Sequence, residues 1–377
     1  MKKKNLILFE DKFGVGGIEK FIYNLCSRID MNKYNVRLVV VNKITDYYDK
    51  SLSNLGVSVD VLLPTVESNP VKRFIKGLPA FKHYLNKNKN KCDLIHFNLS
   101  DSIDLLYVKI AKNCGIKNRI VHSHNSSATS IKKKWVHKLG KIFLANEPNY
   151  FIACSREAAK WLFPSKIYKT KNYLFLQNAI DVSKYTYNEK VRKKIRSKYN
   201  WENNVIYGEV ARFNTQKNHR FLIEIFSKIL TKQKNAKLVL VGDGELLPEI
   251  KNQVKEMSLE KKVVFLGVSG NVPDLLQAFD VFMLPSLYEG LPFVLVESQA
   301  ASLPVIVSDT VTRDVNVTDY ISYYSLGKSA DDWAKIAIKL SKVARDNDQS
   351  SLYKSDFDIS NMMKKLNDFY TTICSPE

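Results

Sequence analysis

The sequence predicts an α/β protein made of two doubly wound parallel-sheet domains. Three observations carry this. Short apolar runs alternate along the chain with stretches of helical periodicity, the rhythm of βαβ units around a parallel sheet. Runs such as Val36–Val41 and Val281–Leu284 are continuously apolar rather than alternating, as strands buried on both faces are. A chain of 377 residues is also long enough for two ordinary domains.

In the first half, Asn5–Phe9 reads as a strand and Gly14-Val15-Gly16-Gly17 as the loop after it. A helix follows, with Ile18, Phe21, Ile22, Leu25 and Ile29 at helical spacing. Val36–Val41, Val57–Leu63, Leu94–Phe97, Arg119–His122 and Tyr150–Ala153 read as further strands, with helices over Ile103–Lys112 and Glu157–Phe163. Ser155 is placed as the cap of the latter helix. In the second half, strands fall at Val205–Arg212, Lys237–Val241, Val263–Leu266, Val281–Leu284 and Pro304–Val307. Helices lie at Arg220–Leu230, from Glu245, at Val272–Phe279 and through Glu297. The boundary is expected near Tyr173–Asp181, followed by a polar, charged stretch over Val182–Tyr199, and Met362–Ile373 reads as a closing helix. The expected domains are 1–176, 177–355 and a C-terminal helix in 356–377 that packs back on the first.

Charge separates the halves. Residues 1–177 hold 31 Lys and Arg against 13 Asp and Glu; the remainder holds 27 against 25. A basic half joined to a near-neutral one implies an anionic partner: nucleic acid, anionic lipid or a phosphorylated substrate. A lysine-rich composition throughout is the plainer alternative, and it accounts poorly for the asymmetry. The five cysteines are widely spaced with no C-x-x-C, so reduced thiols are expected and no structural zinc site. No stretch of about 18 apolar residues is present, and Leu6–Phe9 is too short for a signal-peptide core.

The candidate site residues lie after strand ends, where open α/β sheets bind ligands. Residues 289–298 read EGLPFVLVES. Glu289 follows a strand directly, and the helix expected from Pro292 would offer free N–H groups of Gly290, Leu291 and Phe293. Were the steps from Glu289 to Glu297 all helical, at about 1.5 Å each the carboxylates would stand about 12 Å apart. That suits two ends of an extended ligand and is too far for a shared proton. Arg212 and Lys217, after the strand ending at Val210-Ala211, can clamp a diphosphate. Gly14, Gly16 and Gly17 allow close backbone approach but do not form G-x-G-x-x-G. His122 and His124 end one strand and His96 another, as candidate ligand contacts.

Together these residues resemble glycosyltransferase family 4, the retaining nucleotide-sugar enzymes with the GT-B fold, and in particular bacterial capsular and exopolysaccharide enzymes. The carriers are G-G-I-E at 16–19, H-S-H at 122–124, N-A-I-D at 178–181, A-R-F-N-T-Q-K-N at 211–218, V-G-D-G at 241–244 and E-G-L-P-F-V-L-V-E at 289–297. Ala211 departs mildly from the glycine the family often has there. The resemblance implies two Rossmann-like domains facing across a cleft, with the second binding the donor. It implies that Arg212 and Lys217 hold the diphosphate, Glu297 accepts from ribose hydroxyls and Glu289 contacts the donor sugar. Gly242, Gly290, Leu291 and Pro292 would surround sugar and phosphate, and the backbone of Leu266, Gly267 and Val268 would frame the base. Gly16 and Gly17 would lie against the phosphates and His124 against the sugar. The implied donor is a UDP-hexose or UDP-N-acetylhexosamine, used without a metal. The Asp346/Asp348 and Asp356/Asp358 pairs are read as solvated acids of a polar tail.

The basic half would take the acceptor, a glycan on a polyprenyl diphosphate, at the cytoplasmic face of the membrane. On a helix, Ile131, Trp135, Leu139 and Ile142 share one face, flanked by Lys132, Lys133, Lys134 and Lys138. That suits an anionic membrane surface, the alternative being an ordinary basic core helix. Pro70–Lys91 is similar. His96 and His122 are placed with this acceptor or membrane set. Two other functions stay open on the sequence: a nucleotide-sugar epimerase of the same fold, and a nucleic-acid-binding protein favoured only by the charge.

Overall fold

The computed structural model describes residues 3–125 and 131–374, and only the backbone of 131–134. The chain divides into two compact units, one formed by residues up to Ala179 with those from Ile359 onward, the other by Ile180–Asp358. The boundary therefore falls three residues beyond the expected 176/177, and the return to the first unit at 358/359.

The first unit is a seven-stranded sheet, all parallel, in the order β3-β2-β1-β4-β5-β6-β7. Its strands are β1 Lys4–Phe13, β2 Tyr34–Lys43, β3 Ser58–Val61, β4 Leu94–Leu99, β5 Asn118–Ser123, β6 Tyr150–Ala153 and β7 Tyr173–Phe175. The second unit is a six-stranded parallel sheet, ordered β10-β9-β8-β11-β12-β13. Its strands are β8 Val205–Val210, β9 Ala236–Val241, β10 Val263–Gly267, β11 Val281–Leu284, β12 Val305–Ser308 and β13 Ile321–Tyr324. Both orders reverse direction once, between β1 and β4 and between β8 and β11. Loops leave such a switch point in opposite directions and open a crevice there.

The continuous apolar strands follow from this layering. Along β1, Leu6 and Leu8 enter one core while Ile7 and Phe9 enter the other. Along β9, Leu238 and Leu240 face one core and Val239 and Val241 the opposite one. Successive side chains alternate faces, and with helices on both faces most positions of either parity are apolar. The helix Ile359–Cys374 belongs to the first unit because Met362, Leu366, Tyr370 and Ile373 complete a core shared with Leu6, Leu38 and Leu94.

The break at Ala179/Ile180 lies within the expected Tyr173–Asp181, and the polar stretch after it is folded. Glu189–Lys198 is a helix capped by Asn188, whose side chain accepts from Lys190 N and Val191 N. Its Arg196 is 8% exposed, with its guanidinium 3.1 Å from Asp280 Oδ2 and 3.0 Å from the carbonyl of Ala278. Pairing allows this arginine to be buried within a charged segment. Ser155 caps its helix as expected, accepting from Ala158 N at 3.0 Å. Asp358 is a correction: it is 4% exposed rather than solvated.

Candidate functional site

The loops after β8 and β11 interlock over the switch point of the second sheet. The turn Thr215–Lys217 follows β8, and the side chain of Asn214 caps it by accepting from Lys217 N at 3.2 Å. Asn218 then adopts a left-handed conformation (φ 57°) and donates its side chain to the Pro285 carbonyl at 3.1 Å. Leu287 N donates to Gln216 O at 2.8 Å, and Gln216 Nε2 donates to Tyr288 O at 3.0 Å. These bonds fix two side chains against Glu289. Lys217 Nζ donates to Glu289 Oε1 at 2.6 Å and Gln216 Nε2 donates to Oε2 at 2.9 Å. The Glu289 side chain is 6% exposed, so its charge is held mainly by these two donors.

Arg212 occupies a different environment. It is largely exposed and paired with the equally open Glu245 at 3.2 Å. Its neighbour Phe213 is anchored: its N–H donates to Asp243 O at 3.0 Å and its carbonyl accepts from Leu246 N at 3.0 Å. The ring of Phe213 stacks on His219, centroids 4.1 Å apart. His219 Nε2 lies 2.9 Å from Glu209 Oε2, both side chains 1% exposed. A buried carboxylate and imidazole thus support the loop that carries Arg212 and Lys217. Neither residue stands out in the sequence, because the two come together only on folding.

The helix after Glu289 corrects the expected spacing. It spans Phe293–Ala300, with Pro292 at the cap rather than inside the first turn. Glu289, Gly290 and Leu291 precede it in irregular backbone. Only the last four steps to Glu297 are helical, so the 12 Å figure does not hold. Glu297 itself is 6% exposed and accepts from the Tyr185 hydroxyl at 2.9 Å. Gly290 has open space where a Cβ would stand. Gly242 does not: at φ +140°, a Cβ would lie 2.0 Å from the Ala211 carbonyl oxygen. The V-G-D-G glycine is thus required by the crossing of two backbones beneath Arg212. Gly267 (φ +69°) lies beside it, accepting from Gly242 N at 2.8 Å. Leu266 packs on the core and Val268 is exposed.

In the first unit, the three histidines gather behind Phe21. Ring centroids are 3.9 Å apart for His122 and His124 and 5.3 Å for His96 and His122, with Phe21 edge-on to His122 at 4.8 Å. His96 Nδ1 bonds to the Tyr370 hydroxyl at 2.6 Å and His124 Nε2 to Asn98 Oδ1 at 2.9 Å. Neither nitrogen of His122 has a hydrogen-bond partner among the described residues. Burial pushes His96 and His124 down to about 3 and His122 well below its ordinary value, with the neighbouring imidazoles adding to it for His96 and His122. His96 and His122 are 0% exposed, which removes them from the acceptor and membrane set. His124 is only partly buried. Nearby, burial raises Asp104 to about 8 and holds Glu10 well above the carboxylate range. Gly16 and Gly17 are exposed, and Gly17 has open space around a notional Cβ.

The helix Ile131–Leu144 turns its apolar face outward. Trp135, Val136, Leu139, Ile142 and Phe143 are all exposed, Phe143 to 74%. The opposite face docks through His137 and Gly140. His137 Nδ1 accepts from Ser102 N at 3.2 Å, and a Cβ on Gly140 would stand 2.5 Å from Ser102 Oγ. The core-helix alternative is thereby set aside. Lys138 Nζ lies 5.6 Å from the Trp135 ring centroid. The side chains of Lys132, Lys133 and Lys134 lie outside the described residues.

Among the described residues, no group of three or more His, Cys, Asp or Glu stands close enough to hold a metal ion. No helix among them is long and apolar enough to cross a membrane.

Comparison with known proteins gives one consistent answer. The family described as "Glycosyltransferase Family 4" matches residues 15–184, and "Glycosyl transferases group 1" matches residues 191–355. The chain is 29% identical to the Bacillus subtilis (strain 168) protein named glycosyltransferase EpsF over 342 residues, 88% of this chain and 86% of that one. It is 26% identical over 307 residues to an Escherichia coli UDP-Gal:alpha-D-GlcNAc-diphosphoundecaprenol alpha-1,3-galactosyltransferase, covering 78% and 76% of the two chains. The fold is shared with Anabaena HepE, solved in complex with UDP-glucose, at 16% identity and a TM-score of 0.74 over 98% of this chain and 99% of that one. The epimerase and nucleic-acid readings are not favoured by these matches. The interlocked switch-point loops, the two matched families and the length of the alignments lead to one conclusion: the chain belongs to glycosyltransferase family 4 and is a transferase of the GT-B fold.

Proposed function

We propose that this enzyme moves a hexose or N-acetylhexosamine from a UDP donor to a polyprenyl-diphosphate-linked glycan in cell-surface polysaccharide synthesis. The observation that carries the donor half is the convergence of Gln216, Lys217 and Glu289 over the β8/β11 switch point. In this reading Glu289 grips hydroxyls of the donor sugar, and Gly290, Leu291 and Pro292 line its approach. Arg212 leaves its weak surface partner to meet the diphosphate, joined by Lys217. Glu297 accepts from the ribose, and the strand end Leu266–Val268 frames the base. Departure of the nucleoside diphosphate builds negative charge on the β-phosphate. Lys217, already held in place, and the recruited Arg212 stabilise that charge without a metal. The leaving phosphate then assists deprotonation of the acceptor on the same face of the sugar, with retention. Gly16, Gly17 and the neutral imidazole of His124 are the ligand contacts proposed within the first unit.

The acceptor half is supported by the name of the Escherichia coli relative, which specifies a diphosphoundecaprenol-linked sugar. It is also supported by the exposed apolar face of Ile131–Leu144 within a basic unit. Such a helix lies in the interface of an anionic bilayer, here the cytoplasmic leaflet where a polyprenyl diphosphate is found.

The test is transfer from labelled UDP-sugars, each in EDTA, to a synthetic polyprenyl-diphosphate-linked monosaccharide in anionic vesicles. Label in the lipid phase with retained anomeric configuration is expected. No transfer from any UDP-sugar, with transfer from GDP- or ADP-sugars, would overturn the donor assignment. Full activity on a soluble acceptor without vesicles would overturn the membrane one.

A further inference from the structure

Glu297 is held by a residue far away in sequence. Its Oε1 accepts from the hydroxyl of Tyr185, 112 residues earlier, at 2.9 Å. Tyr185 closes the short helix Val182–Tyr185, and its ring is 6% exposed within the same core as Leu295 and Val296. Its backbone is fixed too. The Tyr185 carbonyl accepts from Gln277 Nε2 at 2.9 Å, and Gln277 Oε1 accepts from Asn188 N at 3.0 Å. Gln277 is itself 2% exposed. The phenol is therefore an immobile donor, aimed at a carboxylate on a neighbouring helix.

A carboxylate has about four acceptor positions, and rotation about its last carbon–carbon bond is soft. A fixed O–H restricts that rotation and so the directions in which the carboxylate can accept. Burial, and then the Glu297 charge, raise the phenol above its usual value, so it remains a donor across the working pH range.

We propose that Tyr185 is a positioning residue for the nucleotide: its hydroxyl orients the Glu297 carboxylate so that it accepts both ribose hydroxyls of the donor. The inference rests on Glu297 being the ribose acceptor. Tyr185 touches no part of the donor. It acts only through Glu297, and its effect disappears when the ribose hydroxyls are absent.

The experiment measures dissociation constants of UDP and 2′,3′-dideoxy-UDP for the full chain, for Tyr185→Phe, for Glu297→Ala and for the double variant, together with donor KM and kcat. Wild type is expected to prefer UDP. Tyr185→Phe weakens UDP about tenfold, the loss of one bond to a charged group, and changes dideoxy-UDP by less than twofold. Added to Glu297→Ala, it has no further effect. Donor KM rises with kcat within about twofold, as for an interaction common to ground and transition state. The UDP to dideoxy-UDP ratio reports on folded molecules alone, so partial unfolding of a variant leaves it readable. Equal weakening of both ligands, or no weakening of UDP while Glu297→Ala weakens it, overturns the role of Tyr185 and leaves the ribose assignment standing. Equal affinity of wild type for both ligands overturns the ribose assignment, and the role of Tyr185 with it.

Discussion

The ammonium of Lys217 stands 2.6 Å from Glu289 Oε1, joining the loop after β8 to the loop after β11. The pair does two jobs that separate on mutation. Lys217→Met leaves a carboxylate that is 6% exposed with Gln216 as its main donor, which costs about 1–3 kcal/mol of stability. It also removes a cation from the leaving group, so kcat/KM falls about 10²–10³-fold. Chemical denaturation and initial rates on the same sample check both; a stable variant with undiminished kcat/KM would refute the assignment.

Arg212 is expected to show activity loss without stability loss. Its pair with Glu245 is open to solvent, where such a pair contributes little to stability. Glu245→Ala should leave the unfolding midpoint and the rate nearly unchanged, whereas Arg212→Ala should lower kcat/KM about a hundredfold at the same midpoint.

Two glycines are expected to respond in opposite ways. Gly242→Ala places a Cβ against the Ala211 carbonyl at φ +140° and should destabilise by about 2 kcal/mol or more. Gly290→Ala enters open space, so stability holds and donor KM rises instead. Thermal unfolding paired with donor titration distinguishes them.

The pH dependence of the first unit should carry the mark of His122. Its folded pKa lies far below the unfolded value near 6.5, so its contribution is complete above pH 6.5 and declines as pH falls. His122→Phe abolishes that decline. The variant should gain about 1.4 kcal/mol per pH unit over wild type below pH 6.5. Glu10 and Asp104 titrate in the opposite sense but equally in both proteins, so they cancel in the difference. Parallel stability–pH curves would show that His122 is protonated where it stands.

The outward face of Ile131–Leu144 gives a surface prediction. Leu139→Asp with Phe143→Ser changes exposed positions and should leave the unfolding temperature within about 2 °C. Sedimentation with anionic vesicles at low salt should fall several-fold. Unchanged sedimentation would place membrane contact elsewhere.

Much of the fold was legible because buried parallel strands leave continuous apolar runs and their helices leave a 3.6-residue period. The edge strands β7 and β13 were missed; most of their residues are only partly buried, unlike the inner strands, whose burial on both faces leaves a continuous apolar run. The helix Glu189–Lys198 was not read from its polar, charged sequence, because the charge of Arg196 is met by Asp280, which no local pattern reveals. The donor-side residues were legible as strand-end motifs. Their supports, Tyr185, Glu209 and His219, were not, since each acts through a partner brought close only by folding. The histidines misled for the related reason that a strand end faces the crevice or the core according to neighbours supplied from elsewhere. For His96 that neighbour is Tyr370.

That last contact sets a schedule for the growing polypeptide. His96 and Tyr370 are 274 residues apart, and at about 5–20 residues per second the ribosome needs roughly 14–55 s to travel between them. Throughout that interval the sheet face bearing Leu6, Leu38 and Leu94 lacks Met362, Leu366 and Ile373, its final cover. The second unit, contiguous from Ile180 to Asp358, has all its residues before the first does. The half made first is thus the half completed last, and through that interval its apolar sheet face lacks the helix that closes it.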